Sequence, residues 1–193
     1  KALFDAAVHS PLVLPPVVVG YILLLAFGPR GPLGSWIQAW FGVTVAFRWT
    51  GAALAAGVMG FPLMVRAVRL SFETIDSRLE AAASTLGAGP LAVFATITLP
   101  LSLPGIITGV VLSFARSLGE FGATITFVSN IPGETRTLPL AIYTYTQVPS
   151  GDDPALRLSL IAIVVSLAAL FASEVLVRRA TRRIMGDDPE SRH

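Results

Sequence analysis

Four stretches of the chain are long and apolar enough to cross a bilayer, and they decide most of what it can fold into. A membrane helix needs about 20 mostly apolar residues, within a range of roughly 17–25. Residues 11–27, 49–66, 101–118 and 158–177 meet that requirement. Each is expected to be a membrane helix, because the bilayer core satisfies no backbone group from outside. Charged residues make up 13% of the 193, against about 25% in a soluble domain. The expected fold class is therefore all-α: a polytopic transmembrane helical bundle, one domain over residues 1–193. The first stretch is not a signal peptide, since Asp5 precedes it and no small-residue cleavage site follows. The chain opens on Lys1 rather than Met and reads as a fragment.

Composition removes several kinds of chemistry. Cysteine is absent, which excludes disulfides, thiolate zinc sites and cysteine nucleophiles. The two histidines, His9 and His193, lie at opposite ends of the chain and support no metal site. Lys1 is the only lysine, so no Gly-rich loop ending in Lys-Ser/Thr exists to cradle ATP phosphates. A net charge of +2 is too small to point to nucleic acid. No cofactor, metal or catalytic residue is expected.

Basic residues orient the bundle, because cytoplasmic flanks collect Lys and Arg. With the C-terminus inside, the inner side holds Lys1, Arg66, Arg69, Arg78, Arg178, Arg179, Arg182, Arg183 and Arg192. The outer side holds Arg30, Arg48, Arg136 and Arg157, and Arg116 lies within the third stretch. Both ends are expected to be cytoplasmic. Ala52, Ala56 and Gly60 form a small-residue stripe on the second helix, and Gly105 and Gly109 a GxxxG on the third. Both permit close helix approach.

The inner linker between the second and third helices is the most informative stretch. Ser77-Arg-Leu-Glu80 reads as a capping box, with Ser77 at the N-cap and Glu80 reaching back to it. The helix that follows should stop at Gly87 in a left-handed C′ conformation. Pro90 is suited to the first turn of a second short helix, which Pro100 limits, and Pro104 to starting the third membrane helix. A helix–turn–helix lying across the cytoplasmic face over about residues 69–99 is expected. Leu79, Leu86, Leu91, Phe94 and Ile97 need a partner surface, either a separate protein or the chain's own bundle.

This linker resembles the cytoplasmic loop of permease subunits of bacterial ABC importers, Glu-Ala-Ala-x3-Gly-x9-Ile-x-Leu-Pro. The matching positions are Ala82, Ala83, Gly87, Ile97, Leu99 and Pro100, while the motif's Glu falls on Ala81 and Glu80 stands one residue early. The resemblance implies that the 77–100 loop docks on an ATPase subunit, through Glu80, Ala82, Ala83, Gly87, Ile97, Leu99 and Pro100. It extends through Leu112-Ser-Phe-Ala-Arg-Ser-Leu-Gly-Glu-Phe-Gly-Ala-Thr-Ile-Thr-Phe-Val-Ser-Asn130 and Leu12–Gly20, which look like the molybdate permease branch. Sulfate and thiosulfate permeases share much of that run, and the residues do not separate molybdate from tungstate or sulfate. Such permeases carry one further N-terminal helix, which implies a five-helix core with one helix missing here. The resemblance also implies a permease homodimer in membrane lipid, two ABC ATPase subunits and a periplasmic or extracellular oxyanion-binding protein. It implies no ATPase site in this chain, and a bacterial or archaeal cytoplasmic membrane.

Arg116 and Glu120 stand four residues apart inside the third stretch, on one helix face. Either they form a local ion pair that neutralises both, or they line the translocation path. In the second case Ser113, Ser117, Thr124 and Thr126 offer hydroxyls to a passing oxyanion. An ion-coupled secondary transporter is the rival, with Glu120 as its coupling carboxylate; a membrane scaffold without transport is a third possibility. Glu174 and Arg178 read as a structural pair. The outer connection, Ser129–Pro154, holds a short amphipathic segment over Leu138–Gln147, either a contact for a binding protein or a plain connection. The tail over about residues 184–193 is expected to be disordered.

Overall fold

The computed structural model describes residues 2–185, and every regular element among them is helical. In chain order come α1 (Ala2–Val13), α2 (Pro16–Phe27), α3 (Pro32–Phe41), α4 (Trp49–Glu73), α5 (Ser77–Thr85) and α6 (Pro90–Val93). A π-helical segment (Phe94–Thr98) leads into α7 (Leu99–Leu118), then α8 (Gly122–Val128), α9 (Leu138–Thr146) and α10 (Asp152–Met185). Three helical stretches are long and apolar enough to span a bilayer: Trp49–Glu73, Pro90–Leu118 and Asp152–Arg179. The α2–α3 pair, bent by 48°, meets the same test if it counts as one span.

The described residues form two compact units, one built from residues 2–62 with Ser113–Leu167 and the other from Leu63–Leu112 with residues 168–185. The core of the first holds Val19, Leu23, Ala55, Met59, Ala123, Phe127 and Val128. Its centre is α8, a short helix laid against α2. A Cβ at Gly20 would stand 2.5 Å from the Ala123 carbonyl oxygen. The two backbones meet there because no side chain separates them. Phe27 meets Phe127 edge to face, with centroids 6.5 Å apart. On the small-residue stripe, the Ser113 hydroxyl donates to the Gly60 carbonyl at 2.8 Å and Ser117 donates to Ala56 at 3.1 Å.

In the second unit the GxxxG of α7 lies against α4. A Cβ at Gly109 would stand 2.9 Å from the Met64 sulfur, and one at Gly105 would collide with the Ser71 side chain. Ser71 in turn donates to the Ser102 carbonyl at 2.9 Å.

Several expected boundaries move. The helix expected over 11–27 is divided at Leu14–Pro15, with Pro16 opening α2. A residue before proline is pushed out of the helical region, so the Pro15-Pro16 pair breaks the run. The second helix runs on from residue 66 to Glu73, where Arg69 and Glu73 pair at 2.8 Å. Pro100 does not end a helix and Pro104 does not begin one; both lie inside a helical run from Pro90 to Leu118. The π segment explains the first, because its wider turn relieves the clash between a proline ring and the carbonyl four residues earlier. The fourth helix, expected over 158–177, spans the 34 residues of α10. Residues 184 and 185 close that helix, and the rest of the expected disordered tail lies outside the described residues. Helix α3 was not expected at all, since Arg30 interrupts the apolar run; Pro32 at its first turn is the signal that marks it.

Replacing Gly20 by Ala should lower the thermal midpoint in detergent by the equivalent of about 1–3 kcal/mol, because the new methyl group lands on backbone that cannot step aside. Gly57, inside α4, has open space at its Cβ. Gly57→Ala should be neutral or stabilising by up to about 1 kcal/mol. Equal midpoints for the two variants would contradict this packing.

Candidate functional site

The linker folds into an elbow whose corner is a complete glycine cap. Gly87 has φ +88°. Its N–H donates to Ser84 at 3.1 Å, and the Ala88 N–H reaches back to Ala83 at 3.1 Å. These are the two bonds of a Schellman motif, which closes the orphan carbonyls of α5. At the other end of α5 the capping box is displaced by one residue. Asp76 is the N-cap, its carboxylate accepting from the Arg78 N–H at 2.9 Å, and Ser77 is already helical. Asp and Ser are comparable caps, so the neighbouring Asp76 takes the place expected of Ser77.

Glu80 is thereby released from capping. Its carboxylate accepts a 2.6 Å hydrogen bond from the Thr98 hydroxyl, eighteen residues on, tying α5 to the end of the π segment. Within that segment the Leu99 N–H donates to Phe94, a five-residue step. The corner itself is bare. Leu86 is 89% exposed and Leu91 79% exposed, so none of the described residues covers the elbow's apolar tip. Ala82 and Leu99 are also exposed, while Ala83, Ile97 and Pro100 are half-buried.

The six residues read as a translocation path fall at the end of α7 and along α8, all within the first unit. Arg116 Nη1 lies 2.7 Å from Glu120 Oε2, with the Glu120 side chain 2% and the Arg116 side chain 30% exposed. The other oxygen of Glu120 accepts from the Ala123 N–H at 2.9 Å, at the start of α8. One carboxylate therefore holds the last turn of α7 and the first turn of α8 together. The hydroxyls are less available than expected. Ser113 and Ser117 donate to α4 carbonyls, and Thr126 donates to Gly122 at 2.8 Å. Each hydroxyl has a single proton, and inside a bundle the nearest carbonyl claims it. Thr124 is buried. Arg116 remains, half-exposed, with N–H groups beyond the one facing Glu120.

An open cavity of about 580 Å³ lies beside Leu118, Phe121, Tyr143 and Val165. Its wall is chiefly apolar, and Phe121 meets Tyr143 edge to face at 5.1 Å. A doubly charged anion would lose its hydration there without replacement. The outer connection is ordered by side chains that sequence reasoning did not single out. Asn130 accepts from Arg136 at 3.0 Å and donates to Thr144 at 2.7 Å. Thr135, buried, donates to the Ser129 carbonyl and accepts from the Ile131 N–H. Glu174 and Arg178 pair at 2.7 Å on an exposed face of α10.

Residues 3–185 match the family described as binding-protein-dependent transport system inner membrane component. The chain is 62% identical over 183 residues to the molybdenum transport system permease protein ModB of Escherichia coli K12, covering 95% of this chain and 80% of that one. It is 56% identical over 184 residues to ModB of Haemophilus influenzae, with the same coverage of 95% and 80%. Among solved structures, the inward-facing MetNI methionine ABC transporter superposes with a TM-score of 0.69, at 17% identity. That match covers 92% of this chain and 74% of the other, and it establishes the fold alone. With a family match along nearly its whole length and a relative 62% identical, the chain belongs to the binding-protein-dependent transport system inner membrane components.

Proposed function

We propose that the chain is the permease subunit of an ATP-driven ABC importer and that its cargo is a tetrahedral oxyanion, molybdate. The observation that carries this reading is the 62% identity to a ModB protein along 95% of the chain. The subunit works as a homodimer in the cytoplasmic membrane, with two ATPase subunits inside and an anion-binding protein outside. It has no ATPase site of its own. The bare apolar tip at Leu86 and Leu91 supports the elbow as the ATPase contact, because exposed apolar surface of this kind marks an interface. Closure of the ATPases on ATP pushes the elbow, and the bundle alternates between outward- and inward-facing states. The ion pair supports a weak path. Arg116 attracts the anion while the neighbouring carboxylate prevents tight retention, which suits an importer whose affinity resides in a separate binding protein. The commitment of Glu120 to two partners argues against its use as a proton-coupling site.

Reconstitution of the permease with its ATPase subunits and binding protein should give ATP-dependent uptake of labelled molybdate that an excess of sulfate leaves largely intact. Uptake driven by a proton gradient without ATP would overturn the importer reading.

Gly87→Arg should preserve insertion, since the position opens onto free space, although a side chain at this φ costs roughly 1–2 kcal/mol. It should abolish pull-down of the ATPase subunit and stimulated ATP hydrolysis, while Ala88→Ser stays near wild type. Full ATPase binding by Gly87→Arg would remove the elbow from the coupling role.

Arg116→Leu leaves a buried carboxylate unpaired and should destabilise by about 3–5 kcal/mol. Adding Glu120→Gln removes that charge but keeps an acceptor for Ala123, so stability should return. On the path reading uptake stays low in the double variant; recovery to wild-type uptake would show the pair to be structural only.

A further inference from the structure

We infer that Glu80 is a positioning residue that acts inside the elbow, through Thr98, rather than by its charge on a partner. This inference rests on the elbow being the ATPase contact and specifies how its shape is held. Two observations carry it. The 2.6 Å bond from the Thr98 hydroxyl to the Glu80 carboxylate is a side-chain link between α5 and the segment entering α7. Thr98 is also the last residue of the π segment, where the Leu99 N–H steps back five residues to Phe94. A π turn is a local widening of a helix and is frequent at functional sites. Without the bond, α5 is joined to α4 by residues 74–76 and to the segment entering α7 by the Gly87–Gly89 turn, where open space surrounds both glycines. With the bond, α5, the turn and the π segment form a closed triangle. A push on the exposed tip then moves the first turn of α7 instead of folding the corner.

Near the elbow Arg69 pairs with Glu73 at 2.8 Å, while at Glu80 the donor is the neutral hydroxyl of Thr98. The carboxylate serves here as a hydrogen-bond acceptor, and a neutral acceptor of the same shape can replace it.

The test uses the complete transporter in proteoliposomes, with molybdate transported per ATP hydrolysed as the readout. Thr98→Val and Glu80→Ala should each lower that ratio about threefold to tenfold, the range expected for losing one ordinary net hydrogen bond. Their combination should be no worse than either alone. Thr98→Ser and Glu80→Gln keep the bond and should transport at close to the wild-type ratio. Pull-down of the ATPase subunit and the thermal midpoint should be unchanged in Thr98→Ser and Glu80→Gln, and pull-down retained in Thr98→Val. If Glu80→Gln loses coupling while Thr98→Val keeps it, Glu80 acts by its charge on the partner and the inference fails. Because Gly87→Arg tests docking and these variants test transmission, failure of one reading does not mimic failure of the other.

Discussion

The buried carboxylate of Glu120 is the contact on which the first unit depends. One oxygen faces Arg116 and the other receives the Ala123 N–H, so the end of α7 and the start of α8 are set by a single side chain. Helix α8 has only seven residues, too few to be stable alone. It is held by its packing against α2 and by that carboxylate at its N-terminus, where negative charge is favoured. Phe127 and Val128, both fully buried, take their places from α8. The charge is costly in an apolar bundle, and Arg116 is what makes it tolerable. Site and core therefore share one pair of residues.

The same economy governs the hydroxyls. Ser113, Ser117 and Thr126 each bond a helix carbonyl rather than project into open space. The Thr126 bond lies within α8, whereas those of Ser113 and Ser117 cross from α7 to α4, and such interhelical bonds contribute modestly in membranes, roughly 0.6 kcal/mol on average. Their value here is register: they fix which small residue of α4 faces which turn of α7. A polar side chain in a membrane helix is thus as easily a packing device as a lining for a path.

How far the sequence could be read depended on whether a signal was local. The helical class followed from apolar run length alone, and Gly87 at the corner followed from its place after a short capped segment. The N-cap was misplaced by one residue because Asp76 and Ser77 each carry a side-chain oxygen able to cap, with similar preference. Helix α3 was missed because Arg30 broke an apolar run that the backbone resumes after a bend. Pro100 and Pro104 were overvalued as boundaries, since a π turn and a packed bundle absorb prolines that would break an isolated helix. Thr98 had no local signal; its partner lies eighteen residues away and only the folded elbow brings them together.

Helix α10 carries a further consequence. In sequence Arg157 and Arg178 bracket its apolar stretch, and the helix between them, at 1.5 Å per residue, has a length of about 32 Å. The hydrocarbon core of a bilayer is about 30 Å thick. Sliding this helix along the membrane normal would draw one guanidinium into lipid, at about 2.5–3.5 kcal/mol by insertion scales once it nears the centre. In a bilayer of that thickness the two arginines would collar the helix, one at each face. Thinner or thicker bilayers would strain the collars before they strained the helix, so lipid thickness becomes a setting of the machine as well as its surroundings.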